Sequence, residues 1–556
     1  MQQPPSTQVS RIEWRWVIIF GGLLVAITLL PYAWAFSAVG GGYTFTGILY
    51  NPLDSGTYLS KIQQGMDGNW LYTFTHTSEQ HVGALVHFFY LLLGQIARIL
   101  GFSPLVIFHL ARLAFSFMMY IAIYHLGSTI WTRIRPRRLF FGILAVGSGL
   151  GWFSLIMSAG KNFPTDLNVP ESIPFHATLM NPHFPFSIAL IALLASIYIR
   201  VFRPGFEEDP NLTNGGGGVI LSVIILCLMQ PQAWLPFAAG LGGYLVVTTI
   251  RSRSISRRDL SWALMAVLPA LPILIYYAAT ITTNEPFRIW NQQNQTPSPS
   301  LDGYILGFGL PLLVAVPSIW RAFRRFERDG DRLMLIWLGV NAILLYAPFN
   351  LQRRLAIGMI IPIAYFAVRA LEDFWFHVIA VKWRGPSLIA LFVFMIPSNV
   401  MVFGLPLVGI VDTKAGVETG LVLQPGYADS IRWIEAQPSR GVVVLAPPLV
   451  SLWIPAFSHQ KVVYGHPFET LYAEQKEASV KAWYKGARCD QDGQNCAPIS
   501  ESECHNLIDA YQVSYILLKA PEDNDPEPGD AAFCAGVLNL TTPIQTFGKV
   551  SIYKIE

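Results

Sequence analysis

Two polar stretches carry residue types that break the pattern of a passive loop. The first is NPLDSGTYLSKIQQGMDGNWLYTFTHTSEQHV, residues 51 to 82, which follows the first long apolar run and places Asp54 ahead of Tyr58, Leu59, Ile62 and Met66 at helical spacing. A carboxylate presented there by an amphipathic segment at a membrane surface could take a proton from an acceptor hydroxyl, with Tyr58 beside it as a substrate contact. The bland alternative is that Asp54 caps a helix starting at Ser55, since Asp satisfies free backbone N–H groups well; the two roles are compatible. The second is NLQRRLAIG, residues 350 to 358, where Arg353 and Arg354 are expected at the outer end of a span. Arginine is uncommon on that side, and a guanidinium fork suits a phosphate. The structural alternative is pairing with a carboxylate or an anionic lipid.

The elements that must position these groups are membrane elements. The chain has 556 residues, 53% of them hydrophobic and 13% charged, with a mean hydropathy of +0.42. Soluble proteins carry about 25% charged residues, so this composition predicts a polytopic membrane protein. A net charge of +3, with basic residues in short clusters between apolar runs, argues against a nucleic-acid partner. The run from Val17 to Phe36 is too long for the apolar core of a signal peptide and is taken as a retained first span.

Basic clusters set the topology. Arg11 and Arg15 place the N-terminus in the cytoplasm and residues 37 to 82 outside, while Arg133, Arg135, Arg137 and Arg138 mark the next inner loop. Only one of the stretches 83–100 and 104–127 can then cross; 83–100, with His87, Gln95 and Arg98, is expected to lie at the outer interface. Residues 139–158 go out, 159–184 form a second outer loop and 185–202 return, ending at Arg200 and Arg203. A flexible turn at 207–218 follows, then 217–230 and 233–250, then 260–281 to a third polar loop, and finally 303–320, 333–348, 356–371 and 387–404. About eleven spans result, at roughly 20 apolar residues each.

From about residue 412 charged residues become frequent, and helix and strand patterns alternate through ADSIRWIEA, GVVVLAP, KVVYG, ETLYAEQKEASVKAWY, VSYILLK and KVSIYKI. The expected organisation is a transmembrane domain over 1–411 and an extracytoplasmic α/β domain over 412–556. Four of the five cysteines, Cys489, Cys496, Cys504 and Cys534, fall in the latter, which predicts two disulfides without choosing among three pairings.

The order of these features resembles the GT-C superfamily of polytopic glycosyltransferases, which take a sugar from a polyprenyl-phosphate donor. The shared pieces are the acidic residue, Tyr-Leu helix and Gly-Asn-Trp turn of DSGTYLSKIQQGMDGNW, the interfacial helix FFYLLLGQIARILGFSP, the Arg-bearing span HLARLAFSF, and the late QRRL followed by Gly and Pro. The resemblance covers roughly residues 15 to 370 and rests on positions rather than on one specific motif. It implies an inverting transfer to a lipid, glycan or protein acceptor on the outer face of a prokaryotic plasma membrane, with Asp54 as base and Arg353 or Arg354 on the donor phosphate. Many relatives carry a second acid beside the first; here position 55 is Ser. Asp166 and Glu171 in the second outer loop are the further acidic candidates, His176 and His183 the further substrate contacts, and Arg112 a further phosphate ligand. The structural alternative for both histidines is packing or capping near a Pro turn. No metal spacing is present and no cofactor is expected, although some branches of the superfamily use a divalent cation, which Asp54, a second-loop acid and the donor phosphate would hold here. In the outer domain His466 and Glu469 are candidates for an acceptor surface, or the elements of a strand-to-helix turn. The competing classes are a transporter or lipid flippase, which would show internal repeats and mid-span charges, and an inactive relative of the transferases.

Overall fold

A computed structural model describes residues 9–202, 211–327, 330–490, 496–520 and 532–555. Arg203 and residues 207–210 of the turn expected at 207–218 lie outside these residues, whereas 211–218 open the helix Asn211–Met229 in place of a turn. Among the described residues eight helices are long and apolar enough to cross a membrane, or nine if the bent pair Arg257–Val267 and Leu271–Thr283 is one span. The chain is an integral membrane protein. The 217–230 run lies within the helix Asn211–Met229, of 19 residues, and the shortfall's clearest source is the 333–348 run, which becomes Asp331–Leu344, of 14 residues. At 1.5 Å per residue the latter is about 21 Å long, less than the roughly 30 Å hydrocarbon core. The stretch at 83–100 forms the helix Phe88–Leu100, which is also too short to span and leaves Ile96, Ile99 and Leu100 exposed along one edge.

The chain divides into two compact units. The first comprises Met1–Leu29, His109–Ala278 and Gln295–Gly404. Its helices share a large apolar core, and its N-terminal helix Arg11–Ile27 is fixed by a buried ion pair, Arg137 Nη1 to Glu13 Oε1 at 3.0 Å, with the Tyr124 hydroxyl donating to the same carboxylate. The long helix Leu301–Arg325 breaks at Gly309 (φ +33°), a backbone conformation that favours glycine. Just before the break the Leu306 carbonyl accepts a hydrogen bond from Leu150 N–H at 2.7 Å.

The second unit comprises Leu30–Phe108, Ala279–Asn294 and Leu405–Glu556. It contains a five-stranded sheet in the order Lys461–Val462, Val443–Leu445, Val513–Lys519, Val550–Lys554, Gln545–Phe547; the first three strands are parallel and the last two antiparallel. Disulfides join Cys489 to Cys496 and Cys504 to Cys534. The strand Thr44–Phe45 pairs with Val422–Leu423, so the first polar loop and the C-terminal part of the chain fold together. Within that loop the helix Pro52–Met66 is buried from Ser55 to Gly65 on every side, where the sequence pattern had predicted one face toward water. The reason is polar covering: Ser60 Oγ meets Thr75 Oγ1 at 2.9 Å, and the Gln64 side chain exchanges hydrogen bonds with the Thr73 backbone at 2.9 and 3.0 Å.

The helices Pro52–Met66 and Phe88–Leu100 meet through glycines. A Cβ on Gly65 would stand 2.2 Å from the Leu91 carbonyl oxygen, and one on Gly94 would stand 2.1 Å from that of Ile62. Gly65→Ala and Gly94→Ala are each expected to destabilise the protein by about 1–3 kcal/mol through overpacking. Gly22→Ala, where an added Cβ meets nothing within 4 Å, is expected to leave the melting midpoint in detergent unchanged. Equal midpoints for all three variants would refute the close contact.

Candidate active site

In the second unit, Asp54 stands in the first turn of the helix Pro52–Met66. It is not the cap predicted from sequence: the helix starts at Pro52, and its N-cap is Asn51, held in the left-handed region at φ +50°. Each carboxylate oxygen has a polar neighbour. Asn51 Nδ2 donates to Oδ2 at 2.7 Å, and His466 Nε2 lies 3.4 Å from Oδ1. The Asp54 side chain keeps 26% of its surface exposed, whereas that of His466 keeps 2%. Its partial exposure leaves the carboxylate a path to solvent.

Two turns along the same helix, Lys61 is fully buried. Its ammonium pairs with Glu469 Oε1 at 2.9 Å, donates to Thr57 Oγ1 at 3.2 Å and lies over the rings of Tyr58 and Tyr72 at 4.9 and 5.1 Å. The Tyr72 hydroxyl donates to Glu469 Oε2. Burial alone would raise the Glu469 carboxyl, but Lys61 first, with His87 and the Tyr72 hydrogen bond, brings it down to about 2. Beside this network His76 donates from Nε2 to the Leu452 carbonyl at 3.0 Å, and burial pushes its imidazole down to about 3. Tyr58, predicted as a substrate contact, is buried and stacks on Tyr90 at 4.3 Å.

The second-loop candidates lie in the first unit. Asp166 is fully buried; its Oδ2 accepts from Gly151 N–H at 3.0 Å and Ser148 Oγ at 3.2 Å, while Oδ1 has no hydrogen-bond partner among the described residues. Burial raises its carboxyl to about 6, against the hydrogen bonds of Ser398, Gly151 and Ser148. The packing is tight, because a Cβ on Gly151 would come within 2.2 Å of Oδ1. His176 is 1% exposed, and neither ring nitrogen finds a hydrogen-bond partner among the described residues. Burial pulls it down to about 3, slightly opposed by the nearby Asp166 backbone carbonyl. Glu171 is buried in the turn Pro170–Ser172, and His183 begins the helix His183–Phe202 with its ring against Phe184.

Also in the first unit, Arg112 is fully buried and donates to neutral acceptors: Thr178 O at 2.8 Å, Thr28 Oγ1 at 3.2 Å and His109 Nδ1 at 3.4 Å. Arg353 and Arg354 are half-buried in the short helix Gln352–Ala356, which is pinned by the Arg353 N–H to Thr296 O hydrogen bond at 3.2 Å. The Arg353 guanidinium makes no ion pair with a described residue; it acts electrostatically on the buried Tyr304, which Glu171 also influences and whose hydroxyl meets Ser298 Oγ at 2.9 Å. Among the described residues no three His, Cys, Asp or Glu side chains are grouped as a metal site. Asn51, Lys61 and Tyr304 went unremarked in the sequence. Lys61 did carry a signal, being a charge within the Tyr58–Leu59–Ile62 stripe that needed a partner.

No family model and no curated protein matches the sequence. Solved structures do. The chain is similar to the oligosaccharyltransferase of Archaeoglobus fulgidus, solved with Zn and sulfate, with a TM-score of 0.55 at 11% identity over 89% of this chain and 68% of that one. It is similar to ArnT from Cupriavidus metallidurans in the apo state with a TM-score of 0.51 at 13% identity over 95% of this chain and 96% of that one. The fold is that of the GT-C membrane glycosyltransferases.

The buried histidines make stability acid-sensitive. Above about pH 6.5 both folded and unfolded chains hold His176 neutral; as pH falls toward 3 only the unfolded chain takes up the proton, so stability drops. His176→Phe is expected to leave the melting midpoint at pH 7.5 unchanged or higher, and to reduce the loss of stability between pH 7.5 and pH 5 by about 2 kcal/mol. An identical pH profile in the variant would show that the imidazole is not held neutral.

Proposed function

We propose that the protein moves a sugar from a polyprenyl-phosphate donor to an acceptor hydroxyl or amide on the extracytoplasmic side of the membrane, with inversion. The observation that carries this reading is Asp54, a partly exposed carboxylate held by Asn51 on one oxygen and faced by His466 on the other, in the first loop of a GT-C fold. Asp54 accepts the proton of the acceptor as its oxygen or nitrogen attacks the anomeric carbon. The bond from that carbon to the phosphate oxygen breaks, and its electron pair leaves with the polyprenyl phosphate. Positioning and charge stabilisation are what such a step asks of a protein.

The developing phosphate charge is assigned to Arg353, a half-buried guanidinium with no ion pair among the described residues, with Arg354 next to it. Arg112 acts at one remove, holding the Thr178 carbonyl of the second loop. Two disulfides support an oxidising compartment for the C-terminal part of the chain, in keeping with a site on the outer side. Asp166 and Glu171 are the acids next in line.

Purified protein in lipid vesicles, supplied with a panel of radiolabelled polyprenyl-phosphate sugars, is expected to release polyprenyl phosphate. Asp54→Asn should lower turnover by about 10²–10⁴-fold with donor binding intact. Arg353→Lys, which keeps the charge and loses the fork, should raise the donor KM about tenfold. Undiminished turnover in Asp54→Asn would remove Asp54 from the reaction and move the role to Asp166 or Glu171.

A further inference from the structure

The turn Tyr464–Thr470 is built to present one ring nitrogen. Its His466 accepts two backbone hydrogen bonds on Nδ1, from Phe468 N–H at 3.0 Å and Glu469 N–H at 3.1 Å. The turn itself is closed by Thr470 Oγ1, which accepts from Gly465 and His466 N–H, both at 3.1 Å, and donates to the His76 carbonyl at 2.6 Å. With two donors aimed at Nδ1, a proton there would face two N–H groups, so the imidazole must carry its proton on Nε2. Nε2 is buried, makes no hydrogen bond to a described residue as it stands, and lies 3.4 Å from Asp54 Oδ1, within reach of a small side-chain adjustment.

We infer that His466 is a positioning residue for Asp54: a neutral imidazole, locked by the backbone of its own turn in the Nε2–H tautomer, that donates to Oδ1 and sets the carboxylate for proton abstraction. The proposal rests on the assignment of Asp54 as base and goes beyond it in two ways. It brings a residue of the C-terminal part of the chain, 412 positions on, to the carboxylate of the first loop, all within the second unit. It also excludes His466 as the base or a proton relay, since accepting a proton on Nδ1 would break both backbone hydrogen bonds. Asn51 holds the carboxylate from the other side, donating to Oδ2 at 2.7 Å.

The test reads the protonation of Asp54 directly and needs no substrate. Full-length protein in detergent is treated with a water-soluble carbodiimide and glycine ethyl ester from pH 4 to 8, and modification of Asp54 is quantified by peptide mass spectrometry; only the protonated carboxyl reacts. In His466→Ala the labelling midpoint is expected about one pH unit higher, because the carboxylate has lost a donor. His466→Gln, whose amide N–H can reach the same oxygen, should return the midpoint at least halfway. Lys61, His76, His87 and Glu469, the other titratable groups of this region, are unaltered in every variant, so the shift reports on His466. Fully buried Asp166 serves as the fold control and should stay unlabelled at pH 7 throughout. A midpoint in His466→Ala equal to that of the unchanged chain, with Asp166 still protected, overturns the proposal. So does a His466→Gln midpoint no closer to the unchanged chain than that of His466→Ala. Failure of the base assignment is a separate result, seen as undiminished turnover in Asp54→Asn whatever the labelling shows.

Discussion

The second unit depends on one buried ion pair. Lys61 and Glu469 lie 408 positions apart in the chain and 2.9 Å apart in space, with the ammonium fully buried and the carboxylate nearly so. A pair of this kind adds little net stability, because desolvating two charges offsets most of their attraction, but removing one partner strands the other at a cost of about 3–5 kcal/mol. Its effect is on conformation. The helix Pro52–Met66 cannot rotate or slide against the turn Tyr464–Thr470 without leaving a charge unmatched. Tyr72, donating to the second oxygen of Glu469, and the aromatic rings around the ammonium close the remaining routes to water.

That constraint reaches Asp54 through helix geometry. Residues seven apart are two turns apart and share a face, so the face that brings Lys61 to Glu469 also brings Asp54 to His466, three residues earlier in the same turn. The carboxylate is thus placed by a contact that is not its own. Helix and turn have matched polar groups at matched spacings, and the ion pair sets the register in which both contacts form.

Much of this architecture was legible in the sequence, and what was missed has a common cause. Apolar runs gave most of the spans, the charge rule correctly demanded a non-crossing helix near residues 83–100, and alternating patterns after residue 412 gave the strands and the paired cysteines. The polar residues of the helix Pro52–Met66 were misread as facing water. Ser60 and Gln64 are satisfied by Thr75 and Thr73 instead, and a polar group hydrogen-bonded inside the protein looks the same in sequence as one bonded to solvent. The cap was misplaced for a similar reason: Asp54 is a good cap by type, but Pro52 suits the first helical position and Asn51 accepts the left-handed backbone ahead of it. The expected span at 333–348 fell short on length, which hydropathy alone does not measure.

The two acids that the sequence set side by side as catalytic candidates differ in environment, and the difference bears on their chemistry. Asp54 is partly exposed, with Asn51 donating to one oxygen and His466 near the other, and can meet an incoming acceptor. Asp166 is sealed, with one oxygen lacking a hydrogen-bond partner among the described residues, and burial lifts its carboxyl to about 6. Gly151, where a Cβ would strike Oδ1, shows how little room the backbone leaves around it. A carboxyl held so closely is poorly suited to chase a proton on a mobile acceptor, but it is well suited to fix the geometry of its own loop, where Gly151 N–H and Ser148 are bound to its other oxygen. This contrast in exposure and packing supports the proposal that Asp54, and not Asp166, abstracts the proton.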